Sequence, residues 1–280
     1  MSKKFILVSN QRCGSTWFIT SVGNCDKVIT DFEVKWSKEL LLGKQSPYHL
    51  FLKDNSFYNI FNENSFSGEN ILVGTKFVFD FYKQFPPEHY LDFINKFQGY
   101  PIIHLQRDYI DVLRSKLIGK VTHLLNTQYL EKNRLIDKTI FAKQNEYINI
   151  IENSKKNKKT ISFNVANTYL INLFINDVMT LSLKKTNDLL TIDYEEIKQN
   201  LDKISNFLNL SKEDLNKNFF KKSTILKNKT KHDYDFENLD DLKKINKKLK
   251  NKLKFLNNNI FNFKDIVSYD KLSKKININL

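Results

Sequence analysis

At 280 residues, with 41% hydrophobic side chains, 23 Phe and 12 Tyr, the chain carries enough apolar material for a buried core without a disulfide or metal staple. Two cysteines, Cys13 and Cys25, are too few for a disulfide framework, and no apolar run approaches the ~20 residues that span a bilayer, so the chain reads as neither a disulfide scaffold nor a membrane span. The formal net charge of +14 favours anionic partners, but the lysines are spread along the chain and an AT-rich coding bias would give the same surplus, so bulk charge decides little.

In chain order, Met1 to Val8 holds an apolar stretch too short for a secretory leader, which fits a cytoplasmic protein. Residues 4–9 (Lys-Phe-Ile-Leu-Val-Ser) predict a strand, the polar segment Asn10 to Thr16 a tight loop, and Trp17, Phe18, Ile19 and Val22 the face of a helix. Further strands are expected at 27–32 and 71–79. Pro86-Pro87 breaks the chain ahead of a helix from Glu88 to Phe97, and residues 101–106 form another strand ending at Arg107. The next helix places Ile110, Leu113, Leu117, Val121 and Leu124 on one stripe.

Residues 127–160 are polar and read as a helical insertion or lid. A long helix is expected from 165 to 184, a last core strand at 188–193, a helix with Ile197, Leu201, Ile204, Phe207 and Leu208 on one face, and a lysine-rich helix from 239 opening a helical C-terminal region to 280. Strands alternating with helices predict an α/β fold: a central parallel sheet flanked by helices in a three-layer, P-loop-like sandwich, with residues 1–280 forming one domain.

The most informative stretch is Arg12-Cys-Gly-Ser-Thr-Trp17. A strand that feeds a glycine-containing loop into a helix N-terminus aims free backbone N–H groups and the positive end of the helix dipole at one spot, which attracts phosphate. Ser15 and Thr16 add hydroxyl donors, and Arg12 adds a planar cation. The triphosphate loop GxxxxGK[ST] is not matched, since its lysine and its glycine spacing are missing, which disfavours a kinase.

The order basic, small, Gly, Ser, Thr, aromatic directly after an N-terminal strand resembles the 5'-phosphosulfate loop of PAPS-dependent sulfotransferases, PAPS being 3'-phosphoadenosine 5'-phosphosulfate. A second likeness lies in Ile102-Ile-His-Leu-Gln-Arg107 followed by Ser115. That family places an Arg at a strand end and a Ser about eight residues on, both holding the 3'-phosphate. A third is Leu190-Thr-Ile-Asp-Tyr-Glu-Glu-Ile197 with a later Phe207-Leu-Asn-Leu210, where Asn209 stands in place of the usual Gly. The resemblance covers most of residues 5 to 230, is weakest at 127–160, and comes nearest in style to bacterial carbohydrate sulfotransferases.

It implies transfer of a sulfuryl group from PAPS to an acceptor hydroxyl, on a glycan by preference, leaving PAP and needing no metal. The implied donor contacts are Arg12, Cys13, Gly14, Ser15, Thr16, Trp17, Arg107 and Ser115. Arg12 would stabilise the leaving oxygen and Lys76 the sulfuryl group. Glu33, just past the second strand, is the first candidate for the base, with Asp31 two residues away. Each has a plainer alternative: Glu33 as a solvated carboxylate, Lys76 as a strand-edge lysine, Arg107 as half of an ion pair. His104, inside an apolar strand, reads as a core histidine with a satisfied hydrogen bond. The lysines at 221, 222, 227, 229 and 231 read as a solvated segment more readily than as a donor clamp. Two other functions stay open, a P-loop small-molecule kinase and a non-catalytic polyanion binder; dispersed charge speaks against the second and against specific nucleic-acid binding.

Overall fold

The computed structural model describes residues 3–30, 72–79, 98–115, 160–220, 236–270 and 275–278. The chain divides into two compact units. The first comprises residues 1–107, 171–223 and 247–280, and the second residues 108–170 and 224–246.

The first unit holds β1 (Lys3–Asn10), α1 (Ser15–Gly23), β2 (Val28–Thr30), β3 (Leu72–Phe79), β4 (Ile102–Gln106) and, later, β5 (Leu189–Asp193). These strands form one wholly parallel sheet in the order β2-β3-β1-β4-β5. The fold class is α/β, as the alternation of apolar runs and helical stripes implied. β1 sits in the middle, and its Phe5, Ile6, Leu7 and Val8 are all buried, the continuous apolar run of a strand covered on both faces. Since β1 is central, the loop after Asn10 emerges at the carboxyl end of the sheet, beside the strand where the order reverses, where ligands bind in open α/β sheets.

Among the described residues, two helices lie between β4 and β5 in the chain. α2 spans 109–115, and the stripe expected to continue to Leu124 lies outside the described residues. α3 (Phe163–Ser182) closes with a 3-10 turn at Leu183–Lys185 and leads into β5. Its first half carries the exposed Asn164, Val165 and Thr168, whereas every residue from Leu173 to Ser182 is buried, so the second half of the helix has no solvated face. That explains why its sequence mixes Phe174, Val178 and Leu181 with Asn176, Asp177 and Thr180 without a clear polar side. In the second unit Asp108 caps α2: its Oδ1 accepts from the N–H groups of Ile110 (2.9 Å) and Asp111 (3.2 Å), and its Oδ2 accepts from Asn246 Nδ2 at 2.6 Å. Also there, Ile161 and Phe236 form an isolated parallel bridge, and Glu237 accepts from the N–H of Phe163 at 3.0 Å to cap α3.

After β5 a 3-10 helix (Tyr194–Asn200) runs into α4 (Leu201–Leu208), then α5 (Lys212–Phe220). Asn209 ends α4 with φ 55° and ψ 48°, the left-handed cap expected of the residue standing where glycine is usual, and the N–H of Leu210 returns to Ser205 O at 3.0 Å. α6 (Leu239–Asn257) is the lysine-rich helix, with Leu242, Leu249, Leu253 and Leu256 buried.

The expectation that the chain stays helical beyond 239 is corrected at its end. After α7 (Phe263–Ile266) come two antiparallel strands, β6 (Val267–Asp270) and β7 (Lys275–Ile278). Tyr269 pairs with Ile276 and Val267 with Ile278, so the alternation of apolar and polar residues there has the two-residue period of a strand.

Candidate functional site

The segment Asn10 to Ser15 links the end of β1 to the start of α1 and is built to turn sharply. Arg12 and Gly14 both have positive φ, 66° and 82°. For a non-glycine residue the left-handed region costs on the order of 1 kcal/mol, so Arg12 must be held there. Two contacts hold it: the N–H of Gln11 donates to Phe79 O on β3 at 3.3 Å, and Nη1 of Arg107, from the end of β4, donates to the carbonyl of Arg12 itself at 3.1 Å. α1 then begins with the N–H of Phe18 bonded to Gly14 O at 3.0 Å. Ser15 is buried at the helix start and the Arg12 side chain is exposed; the side chain of Thr16 lies outside the described residues.

The missing Cβ of Gly14 makes room for protein: a Cβ there would lie 2.2 Å from Cε2 of Tyr194. That ring is a hub. It meets Trp17 edge to face at a centroid distance of 5.9 Å, and the guanidinium of Arg107 sits 4.8 Å from its centroid. Trp17 in turn packs on Phe219 at 5.2 Å, which fixes α1 to α5. Burial pushes the Tyr194 hydroxyl up from its ordinary range, the cation of Arg107 opposing that rise.

Arg107 thus touches three things: the Arg12 carbonyl, the Tyr194 ring, and Glu195, whose Oε1 lies 4.0 Å from Nε. At that distance Glu195 is an ion-pair partner and not a hydrogen-bond acceptor. Nε of Arg107 is a buried donor with no hydrogen-bond partner. A lone buried N–H of this kind costs about 1–3 kcal/mol, a deficit that one phosphate oxygen would remove. The loop and Arg107, 95 residues apart in sequence, are therefore in direct contact.

Cys13 is buried in the loop. Burial, chiefly, and then the nearby carboxylate of Asp177 hold its thiol far above the ordinary range, with Lys250 and Arg107 acting the other way. Lys250, on α6, lies 3.6 Å from Asp193 Oδ1 at the end of β5. It brings a cation near the loop that the sequence pattern did not single out, since one lysine in a lysine-rich helix carries no local signal.

Lys76 is buried in β3 opposite Leu7, three register positions before the Asn10–Phe79 pair and so about 10 Å back along the strand. Ser115 lies in the second unit, half-buried on α2. Glu33 and Asp31, residues 127–159 and the lysines at 221–231 lie outside the described residues. His104 is fully buried and bonded through Nε2 to Asp177 Oδ1 at 3.0 Å, the satisfied core histidine expected of it. Among the described residues no three His, Cys, Asp or Glu side chains gather as a metal ligand set, and no helix is long and apolar enough to cross a membrane.

No protein-family model matches the chain, and no curated protein does. Among solved structures the chain is similar to a sulfotransferase from Alicyclobacillus acidocaldarius, with 14% identity, a TM-score of 0.40, and coverage of 76% of this chain and 83% of that one. So distant a likeness speaks to neither donor nor acceptor.

Proposed function

We propose that the chain is a sulfotransferase that takes a sulfuryl group from PAPS and gives it to an acceptor hydroxyl, with a glycan as the favoured acceptor. The observation that carries this reading is a contact between two elements suited to anions: the left-handed turn at Arg12 and Gly14, and Arg107, whose buried Nε has no hydrogen-bond partner, joined by the 3.1 Å bond to Arg12 O. A donor with phosphate on both the 3' and 5' positions needs two cationic anchors a few ångströms apart, and a mononucleotide with one phosphate needs only the first.

In this reading the amides at the start of α1, with Ser15 and Thr16, hold the 5'-phosphate, and Arg107 takes the 3'-phosphate. Ser115 joins Arg107 on the sequence order of the motif alone. Cys13 and Trp17 shape the loop, the first as a buried small residue and the second through its ring contacts. The acceptor oxygen attacks sulfur in line as the bond from sulfur to the 5'-phosphate bridge oxygen breaks, its electron pair remaining on PAP. Arg12 balances the charge on that leaving oxygen, Lys76 is assigned to the sulfuryl oxygens, and the acceptor proton passes to Glu33 and then to solvent.

The test is transfer of labelled sulfuryl from PAPS to a panel of glycans and small alcohols, repeated with Glu33→Gln. Turnover that falls by about 10²- to 10⁴-fold while PAP still binds supports the assignment of the base. Full turnover in that variant moves the role to Asp31 or a histidine, and no transfer to any hydroxyl by the native protein removes the reading.

A further inference from the structure

Beneath the loop lies a buried polar cluster that the proposed chemistry does not use. Asn10, the last residue of β1, donates through Nδ2 to Leu173 O at 3.1 Å and to Asp177 Oδ1 at 2.9 Å, and its Oδ1 accepts from Asn176 Nδ2 at 2.8 Å. The same Asp177 oxygen accepts from His104 Nε2 at 3.0 Å, and Gln106 Nε2 lies 3.5 Å from His104 Nδ1. A proton on Nε2 satisfies both histidine contacts, Nδ1 then being the acceptor. Asn10, His104, Gln106, Asn176 and Asp177 are all buried, Asp177 at 1% exposure.

A carboxylate in this place is electrostatically wrong for an anion site. It adds a negative charge under a loop that would receive phosphate, and it pushes the Cys13 thiol up, second only to burial. Its desolvation is costly as well, several kcal/mol before pairing. The geometry offers a reason to have it. One oxygen on α3 ties together the last residue of the central strand and a buried histidine on the neighbouring strand. The loop begins one residue later, so the direction in which its backbone N–H groups leave the sheet is set by this tie.

We infer that Asp177 is a positioning residue for the loop at Arg12–Ser15, acting through Asn10 and braced by His104; as a function for that loop this rests on the nucleotide-binding reading above. The test is amide hydrogen exchange, followed by mass spectrometry, in the native chain and in Asp177→Leu and Asp177→Asn. Leucine removes the acceptor at similar volume and leaves His104 Nε2 and one of the two Asn10 Nδ2 hydrogens without an acceptor, while asparagine keeps an oxygen but loses the charge that strengthens both bonds. The expected result is exchange over residues 11–18 faster by about tenfold or more in the leucine variant and by an intermediate factor in the asparagine variant, with α4 unchanged. Native exchange over 11–18 in both variants overturns the inference, as does acceleration spread evenly over β1, β4 and α4, which is what mere loss of core stability gives. Should the leucine variant not fold, the asparagine variant decides by the same criteria. The nucleotide reading fails separately, by absence of PAP binding to the native chain.

Discussion

The ring of Tyr194 fills the space that a side chain at Gly14 would need, a Cβ there falling 2.2 Å from Cε2. The two residues lie 180 positions apart, and their contact joins the loop after β1 to the end of β5. On the same ring rests the guanidinium of Arg107, so one aromatic side chain sets both the path of the loop and the height of the cation above it.

Gly14→Ala should therefore damage the site twice. It places a side chain at φ 82°, and it drives the new methyl into the Tyr194 ring. The first effect costs about 1 kcal/mol, and the second adds overpacking of about 1–3 kcal/mol. Urea unfolding should show a midpoint lowered accordingly, and PAP should no longer stabilise what remains folded.

Glu195→Gln should act in the opposite direction on the ligand. The carboxylate stands 4.0 Å from Arg107 Nε with 52% of its side chain exposed, so it partly neutralises the cation under solvent screening. Its removal should tighten PAP binding by about two- to fivefold at low ionic strength, an effect that shrinks as salt is added. Calorimetric titration at two salt concentrations measures both.

The thiols of Cys13 and Cys25 should be inert in the native chain. Burial, the leading cause at each, pushes both above their ordinary value of 9.0. The folded state then keeps protons that the unfolded state has released. Their contribution to stability is fully present below pH 9.0 and is lost as pH rises beyond it, for Cys13 at up to about 1.4 kcal/mol per pH unit. A disulfide reagent at pH 8 should label neither cysteine until denaturant is added, and the urea midpoint should fall between pH 9 and 10.

What the sequence revealed and what it hid follow from the range of the signals. β1, β3 and β4 are legible because each is a short run buried within a parallel sheet, β5 because a short β-forming run survives at the half-buried sheet edge, and the loop because Gly14 and its polar neighbours interrupt such a run. Arg107 is legible by its place at a strand end. Tyr194 was seen only as half of a Tyr-Glu pair, since its role depends on a contact with Gly14 that no local pattern encodes. Asp177 carries no motif of its own; the available signal is a carboxylate in a helix stretch whose neighbours are otherwise mostly apolar, and its burial shows only in the fold. β6 and β7 were read as helix because lysines and asparagines mask their two-residue alternation.

The central claim, two phosphate anchors joined at Arg107 and the Arg12 turn, is tested most directly by thermal unfolding with PAP and with AMP, in the native chain and in Arg107→Ala. The account predicts that PAP at about a hundredfold excess over its Kd stabilises the native chain by about 2.7 kcal/mol, that AMP at the same concentration does far less, and that the difference vanishes in Arg107→Ala. Equal shifts for the two nucleotides in the native chain, or an undiminished preference for PAP in the variant, would contradict it.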